Sequence, residues 1–596
     1  MSIAPRGMTV TEAYRLYRSG SLLVNRKYQR KLIWSVEEKE KLIGSILKGY
    51  PIPLILLAER PPVHGSAKDK IYEIIDGMQR LNAICSFIEK SFPFHEAYFD
   101  INQHPTAKQY ADEGKFEVLE YDRYLSPREC TDILDYQLAV TVYTAMDESD
   151  IIEVFGRINS GGKHLSNQER RQAGVTTSFS EVVRTIAMQL RGDDTQKTIQ
   201  LSDMPQVSID SKRNHQGYGI QAEETLWCKQ GILTPRQLRD SEDEAMIADI
   251  AASILLAKPI QVSKEKMDRI YDKETDEFQL IEKALASHSS ALLEENIVKT
   301  FSVLGETIEA YSTDHKCLLQ LVNPGTTNPI LQAFYTIFMA FFDLVIDSQR
   351  LPGDSKEIML SLKNLQKDLE ISKRYKTTTG RITNIKKTKG LIQDYFVERS
   401  QSTLGQGAEL AQKFKNALLR SRSETAKYEC KQGLLYLNPN NREVNEDLLQ
   451  RLVQTICGIA NSDPEVAGYI FIGVADGRED AEKIEKLDSS HFVEVSGRYV
   501  VGIDREAEIL GKKLEDYVGI IINTIKKSEL TDPLKTQVIT KLDTIKYKDL
   551  SVIIINIPPQ NQISFLGEKA FIRENSSTVE ARGKTLLAIY DLFQKR

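Results

Sequence analysis

The chain has 596 residues, 41% of them hydrophobic and 27% charged, which excludes wholesale disorder and, at roughly 150 residues per domain, implies about three to five domains. Its 78 basic and 84 acidic residues leave a net charge of −6, which excludes a uniformly basic coat for nucleic acid and makes any polyanion site local. Six cysteines (Cys85, Cys130, Cys228, Cys317, Cys430 and Cys457) are scattered with no C-x-x-C pair, so neither a disulfide scaffold nor a thiolate zinc site is expected, and a cytoplasmic setting fits.

Residues 1–20 lack the apolar core of a signal peptide. Ser35-Val36-Glu37-Glu38 is a capping box that opens a helix running to Gly49, with Tyr50-Pro51 as its breaker. Strands are expected at Leu54 to Ala58 and Ile71 to Ile75, and Asp76-Gly77 turns the second into a helix from Met78 to Lys90. From 176 to 399 apolar residues recur at helical spacing, as in Glu242 to Leu256 and Glu294 to Tyr311. The most apolar stretch, Ala333 to Ile346, carries Asp343 and falls short of the ~18 residues a membrane span needs. It reads as a buried helix, and no membrane partner is expected. Residues 400–410 are small and polar, a linker. Beyond them come a strand at Tyr428 to Leu437, a helix at Asn445 to Asn461, a strong strand at Tyr469 to Val474, a helix at Arg505 to Lys527 and a strand at Ser551 to Ile557. That order describes an α+β domain over 411–596.

Three motifs mark the first 175 residues. Tyr28-Gln29-Arg30 precedes Trp34; Asp76-Gly77-Met78-Gln79-Arg80 sits where a strand enters a helix; Phe155-Gly156-Arg157-Ile158-Asn159-Ser160-Gly161-Gly162 leads to Leu165-Ser166-Asn167-Gln168-Glu169. Free amides at a helix N-terminus attract an anion such as phosphate. Arg30 and Arg80 add charge-assisted contacts, and Asp76 a hold on a metal or a water. A plain tight turn with two surface arginines has the same residues, and the local signal leaves both readings open.

Taken in order, these motifs resemble the N-terminal domain of the modification-dependent restriction proteins of the GmrSD and SspE kind, a ParB-like family with a DGQQR motif. The likeness spans 20–175 and includes Lys41-Leu42-Ile43-Gly44-Ser45-Ile46 and Gly49-Tyr50-Pro51-Ile52-Pro53. In that family the domain binds and hydrolyses nucleoside triphosphates in response to altered phage DNA. The resemblance implies nucleotide contacts from Arg30, Asp76, Gly77, Gln79, Arg80 and Asn159. Met78 stands where the family has its first glutamine, a departure that bears on hydrolysis more than on binding.

Between Lys373 and Lys389 seven basic residues (Lys373, Arg374, Lys376, Arg381, Lys386, Lys387 and Lys389) meet no acidic one. Such a run grips phosphate or forms a solvated face. Farther on, Glu424 and Glu429 lie five apart, and on a strand Glu429 and Lys431 share a face. A carboxylate holding a divalent cation beside an ammonium suits phosphodiester cleavage, although charged alternation on a solvent-facing strand gives the same pattern. Asp476 closes the apolar strand from Tyr469, and three clustered carboxylates would repel one another unless a cation such as Mg²⁺ or Mn²⁺ joined them.

This segment resembles the AlbA-like nuclease domain of the Schlafen family. The resemblance rests on Ser423-Glu424, Glu429-Cys430-Lys431, Cys457-Gly458-Ile459-Ala460-Asn461, Gly473-Val474-Ala475-Asp476 and Phe571-Ile572-Arg573-Glu574-Asn575-Ser576-Ser577-Thr578. It implies metal ligation by Glu424, Glu429 and Asp476, catalysis by these with Lys431, nucleic-acid binding that includes Arg573, and cleavage of RNA ahead of DNA. Departures are Cys430 for an aromatic, the Ser462-Asp463-Pro464-Glu465 turn for paired glycines, and Ala475 for an aspartate. Because family members join two such lobes and one is visible here, a homodimer is expected.

The fold class expected is therefore α+β multidomain: a ParB-like α/β N-terminal domain (1–175), a helical middle (176–399), a linker (400–410) and a Schlafen/AlbA-like α+β C-terminal domain (411–596). The function expected is that of an anti-phage effector coupling nucleotide sensing to metal-dependent cleavage of nucleic acid, with Mg²⁺ or Mn²⁺ and a nucleoside triphosphate as cofactors. The alternatives are a non-catalytic nucleic-acid-binding regulator and a modification-dependent DNA endonuclease with an N-terminal NTPase.

Overall fold

The computed structural model describes all residues except 1–2, 27–28, 30, 61–69, 114–115, 117–119, 145–150, 152–153, 155–165, 173–176, 194–196, 212–217, 370–375, 399–413, 415–416, 419–425, 465, 496, 575–576 and 595–596. It is mixed α and β with a helical middle, as the α+β multidomain reading expects, and it divides into two units, 1–399 without 63–66 and 400–596 with them.

In the first unit β1 (Ile3–Thr9), β2 (Leu22–Asn25), β3 (Ile55–Glu59), β4 (Tyr72–Asp76), β5 (Gln137–Thr144) and β6 (Thr198–Gln200) form one sheet. The strand order is β1-β5-β3-β4-β2-β6. β3 runs parallel to β5 and antiparallel to β4. The C-terminal end of β4 and the N-terminal ends of β3 and β5 therefore share one end of the sheet. Helices α1 (Val10–Arg18), α2 (Val36–Leu47) and α3 (Met78–Ile88) contribute to its core. Every residue of α3 is buried, which a solvent-facing helix would never show. The expected capping box opens α2, with Ser35 Oγ accepting from Glu38 N at 3.3 Å and Ser35 N donating to the Glu38 carboxylate at 2.8 Å.

The sheet does not end where the sequence placed the domain boundary. β6 lies beyond residue 175 and pairs with β2, and Leu201, Met204, Val207 and Tyr218 join the same core. A second core gathers the helical middle, where Trp227 meets Phe301 and Phe334 edge-on at 5.1 and 5.5 Å. The apolar stretch expected at 333–346 is a helix over Leu331–Phe342 followed by a π turn over Asp343–Asp347. β7 (Ile209–Asp210) pairs with β8 (Ile220–Gln221), and β9 (Arg350–Pro352) with β10 (Phe396–Glu398). Among the described residues no helix is long and apolar enough to cross a membrane.

The second unit contains β11 (Tyr428–Lys431), β12 (Gly468–Ile472), β13 (Val474–Ala475), β14 (Val493–Val495), β15 (Arg498–Val500), β16 (Leu542–Tyr547), β17 (Leu550–Ile557), β18 (Ala570–Glu574) and β19 (Ser577–Ala581). They form sheets of order β11-β12-β17-β16 and β13-β15-β14, plus the hairpin β18-β19. The strand expected to reach Leu437 stops at Lys431, because the Leu434 and Leu435 amides turn to donate to the buried Glu506 carboxylate at 2.6 and 3.1 Å. The helix expected over 505–527 breaks into Asp504–Ile509 and Leu514–Lys527 around Gly511, whose φ is +61°.

Candidate functional site

At the front, Asp76 ends β4 and Gly77 starts α3 with φ +100°. A β-carbon on Gly77 would stand 2.9 Å from the Ile55 side chain, so glycine is required both by conformation and by space. Asp76 accepts from the Gly77 amide at 2.8 Å and from Arg80 at 2.8 Å. The turn thus carries one carboxylate and one guanidinium locked together. Asp76 is 45% exposed, while Arg80 is largely covered.

The neighbouring loop is sewn to this turn by two glutamines. Gln29 donates to the carbonyls of Ile74 and Ile75 at 2.8 and 2.9 Å. Gln79 accepts from Ile33 and Trp34 at 3.1 and 3.3 Å and donates to Lys31 at 2.9 Å. Sequence reasoning placed Gln79 on the nucleotide, yet its amide holds residues 31–34. Gln29 stands in the Tyr28-Gln29-Arg30 motif but was given no role of its own, and local spacing does not encode bonds to carbonyls 45 and 46 positions away. Arg30 and Asn159 lie outside the described residues.

The loop also reaches the helical middle through buried charge. Arg26 pairs with Asp193 at 2.6 Å, and Arg191 with Asp243 at 2.5 Å and Glu244 at 3.1 Å. Burial, with Arg191 adding to it, lowers the pKa of Lys31 beside this cluster.

At the rear, Glu429 and Lys431 project from one face of β11, as the strand period requires, and form an ion pair. Arg573 of β18 donates to the other Glu429 oxygen at 2.7 Å and to Thr578 Oγ1 at 3.1 Å. Thr578 in turn meets Thr455 at 3.1 Å. The hairpin is held by Asn461, which donates to Ser564 and Phe571 carbonyls at 2.8 and 2.9 Å and accepts from Ser564 N at 2.8 Å. Gly458 faces the hairpin closely, since a β-carbon there would lie 3.2 Å from the Thr578 side chain.

Gly473, with φ +106°, donates to the Lys431 carbonyl at 2.8 Å and redirects the chain into β13. Asp476 follows, 46% exposed and paired with Arg498. Glu424 lies outside the described residues, and among those described no group of three His, Cys, Asp or Glu is placed to hold a metal. Each described carboxylate of the expected trio carries a cationic partner. A divalent ion would have to compete with Lys431 and Arg573 for Glu429 and with Arg498 for Asp476, so the donor chemistry fits a metal and the present pairing opposes it.

Two expected nucleic-acid contacts need correction. Arg381 is 1% exposed, donates to both Asp249 oxygens at 2.8 and 2.7 Å and to Ile260 O at 2.8 Å, and lies 3.4 Å from the Tyr335 ring centre. It is a core residue, because only one face of the helix Thr378–Ile392 meets water. Arg573, 2% exposed, belongs to Glu429 and not to an open surface. Lys376, Lys386 and Lys387 are exposed. Lys387 donates to Asp368 O at 2.7 Å, and Lys389 pairs with Asp343 at 2.6 Å. Lys373 and Arg374 lie outside the described residues.

Residues 10–175 match the family model of the GmrSD restriction endonuclease N-terminal domain, and residues 424–582 match that of the Schlafen AlbA_2 domain. The chain carries these two domains fused, as its motifs implied. No curated protein and no solved structure gives a significant match.

Proposed function

We propose that this chain is a nuclease-type defence protein whose C-terminal domain cleaves nucleic acid, RNA ahead of DNA, under control of a nucleotide held by its N-terminal domain. The observation that carries this reading is the pair of family matches on one chain, one of them to a restriction endonuclease domain. Glu424, Glu429 and Asp476 would hold Mg²⁺ or Mn²⁺, which supplies a Lewis acid and an activated water. Lys431, paired with Glu429 on β11, would supply positive charge to a phosphodiester as it gains negative charge. In front, Asp76, Gly77 and Arg80, with Arg30 and Asn159, would bind the triphosphate, and Gln79 would position the loop around Arg30. Lys376, Lys386 and Lys387 offer the exposed charge that a nucleic acid requires.

The test is incubation of the purified chain with tRNA and with DNA in the presence of Mn²⁺. Glu429→Gln is expected to lower cleavage by about a hundredfold; undiminished cleavage removes the site assignment. A second reading, a non-catalytic nucleic-acid binder, draws support from the Arg573 and Arg498 pairs that neutralise Glu429 and Asp476. Binding of tRNA without metal-dependent cleavage by wild type would favour it.

A further inference from the structure

The two described carboxylates of the rear site stand on different sheets. Glu429 is on β11 of the sheet β11-β12-β17-β16, and Asp476 directly follows β13 of the sheet β13-β15-β14. Their segments are joined by the bond from Gly473 N to Lys431 O at 2.8 Å. A backbone ladder fixes spacing only within one sheet, so strand pairing does not set how far Glu429 lies from Asp476.

Arg505 ties the two segments where the ladder stops. It lies in the short helix Asp504–Ile509 and is 7% exposed. Its Nη2 donates at 2.7 Å to both Gln432 O and Gln432 Oε1, one residue past β11. Its Nη1 pairs with Asp488, the last residue of the helix Arg478–Asp488, which starts two residues past Asp476. The neighbours of this guanidinium are themselves fixed. Asp504 accepts from Ser551 N and Oγ of β17 at 2.7 Å each, and Asp488 accepts from Arg442 at 2.6 and 2.7 Å. Gly433, between Gln432 and the amides that Glu506 holds, admits no side chain, since a β-carbon there would overlap the Glu506 carboxylate.

Buried charges gain little net stability over apolar packing of the same volume. A planar guanidinium with partners on several elements instead fixes angles as well as distances. We propose that Arg505 is a positioning residue that sets the spacing of Glu429 and Asp476 for a shared divalent ion, an inference that rests on the metal-dependent nuclease reading above. It acts through Gln432 and Asp488, not by contact with the ion. Mg²⁺ holds its oxygens at about 2.0–2.1 Å in near-ideal octahedral geometry, so the affinity of a small divalent ion reports that spacing directly.

The experiment titrates Mn²⁺ into the full chain by calorimetry, as wild type, Glu429→Gln, Arg505→Lys and Gln432→Ala, with near-UV circular dichroism as the check of fold. Glu429→Gln identifies the heat that belongs to the rear site. Arg505→Lys is expected to keep the fold and weaken Mn²⁺ about tenfold, because an ammonium cannot bridge Gln432 and Asp488 as the guanidinium fork does. Gln432→Ala removes one of the two bonds to residue 432 and is expected to weaken Mn²⁺ in the same direction but less. It decides the matter alone if Arg505→Lys fails to fold. Folded variants that bind Mn²⁺ as wild type does overturn the positioning role and leave Arg505 a purely structural residue. Wild type that binds no Mn²⁺ at the rear site overturns the metal-dependent reading itself, and the positioning role with it.

Discussion

Arginines of this chain differ in kind according to what faces them. Arg381 spends its guanidinium on Asp249, on a carbonyl and on the face of Tyr335. Removing it leaves Asp249, 15% exposed, without its partner. Arg381→Ala is therefore expected to destabilise the first unit by roughly 3–5 kcal/mol, the cost of breaking a buried pair. Lys386→Ala, on the exposed side of the same helix, should change stability by no more than about 0.5 kcal/mol. Urea unfolding of the two variants checks the contrast, and near-equal losses would return Arg381 to the surface. Arg573 shows the same economy on a different carboxylate, since Glu429 takes one cation from its own strand and one from the β18-β19 hairpin.

Elements here are joined by single side chains that bond backbone across long sequence distances. Gln79 on α3 holds both sides of residues 31–34, so Gln79→Ala strands two amides and a carbonyl. A loss of roughly 1–3 kcal/mol is expected. Since Trp227 is fully buried and Trp34 is only half-buried, a red shift of tryptophan emission in that variant would report release of the loop. Unchanged emission would show that the loop is held without Gln79. Gly77 is the matching backbone device. Gly77→Ala meets Ile55 at 2.9 Å in a left-handed conformation, and should cost at least about 1–2 kcal/mol while weakening the binding of ATP and GTP. Asn461 plays the corresponding part in the second unit, where its amide joins a helix to the loop before β18 and to β18 itself.

For the molecule as a whole, each unit carries a lysine driven down by burial. Lys39 lies between the rings of Phe92 and Tyr218 at 5.4 and 4.9 Å, and its pKa falls to about 8. Lys427 donates to Ile459 and Asp463 carbonyls at 2.9 and 2.6 Å and likewise falls to about 8. Folded values below a lysine's ordinary 10.5 mean that the unfolded chain holds more protons between about pH 8 and pH 10.5. The penalty of burial is complete below pH 8 and is relieved as pH rises through that window. Calorimetry from pH 7.5 to 9.5 should show Lys427→Met removing this rise from the unfolding of the second unit, and Lys39→Met reducing it in that of the first, where Lys31 is lowered by burial as well. A pH dependence in either unit that is the same in variant and wild type would assign the rise to other groups.

The sequence by itself determined what lies within one element or one turn. The Ser35–Glu38 box, the glycine at 77, the shared face of Glu429 and Lys431 and the helical middle all depend on contacts a few residues apart, which spacing encodes directly. Only tertiary structure decided which charge answers which. Arg573 meets Glu429 across 144 positions and Arg381 meets Asp249 across 132, and β6 enters the front sheet from beyond its family-matched segment. A run of basic residues looks alike on paper whether it faces water or a carboxylate. The reason is that burial is a property of the assembled sheet and helix faces, and an ion pair gains its strength only where packing has already removed the water.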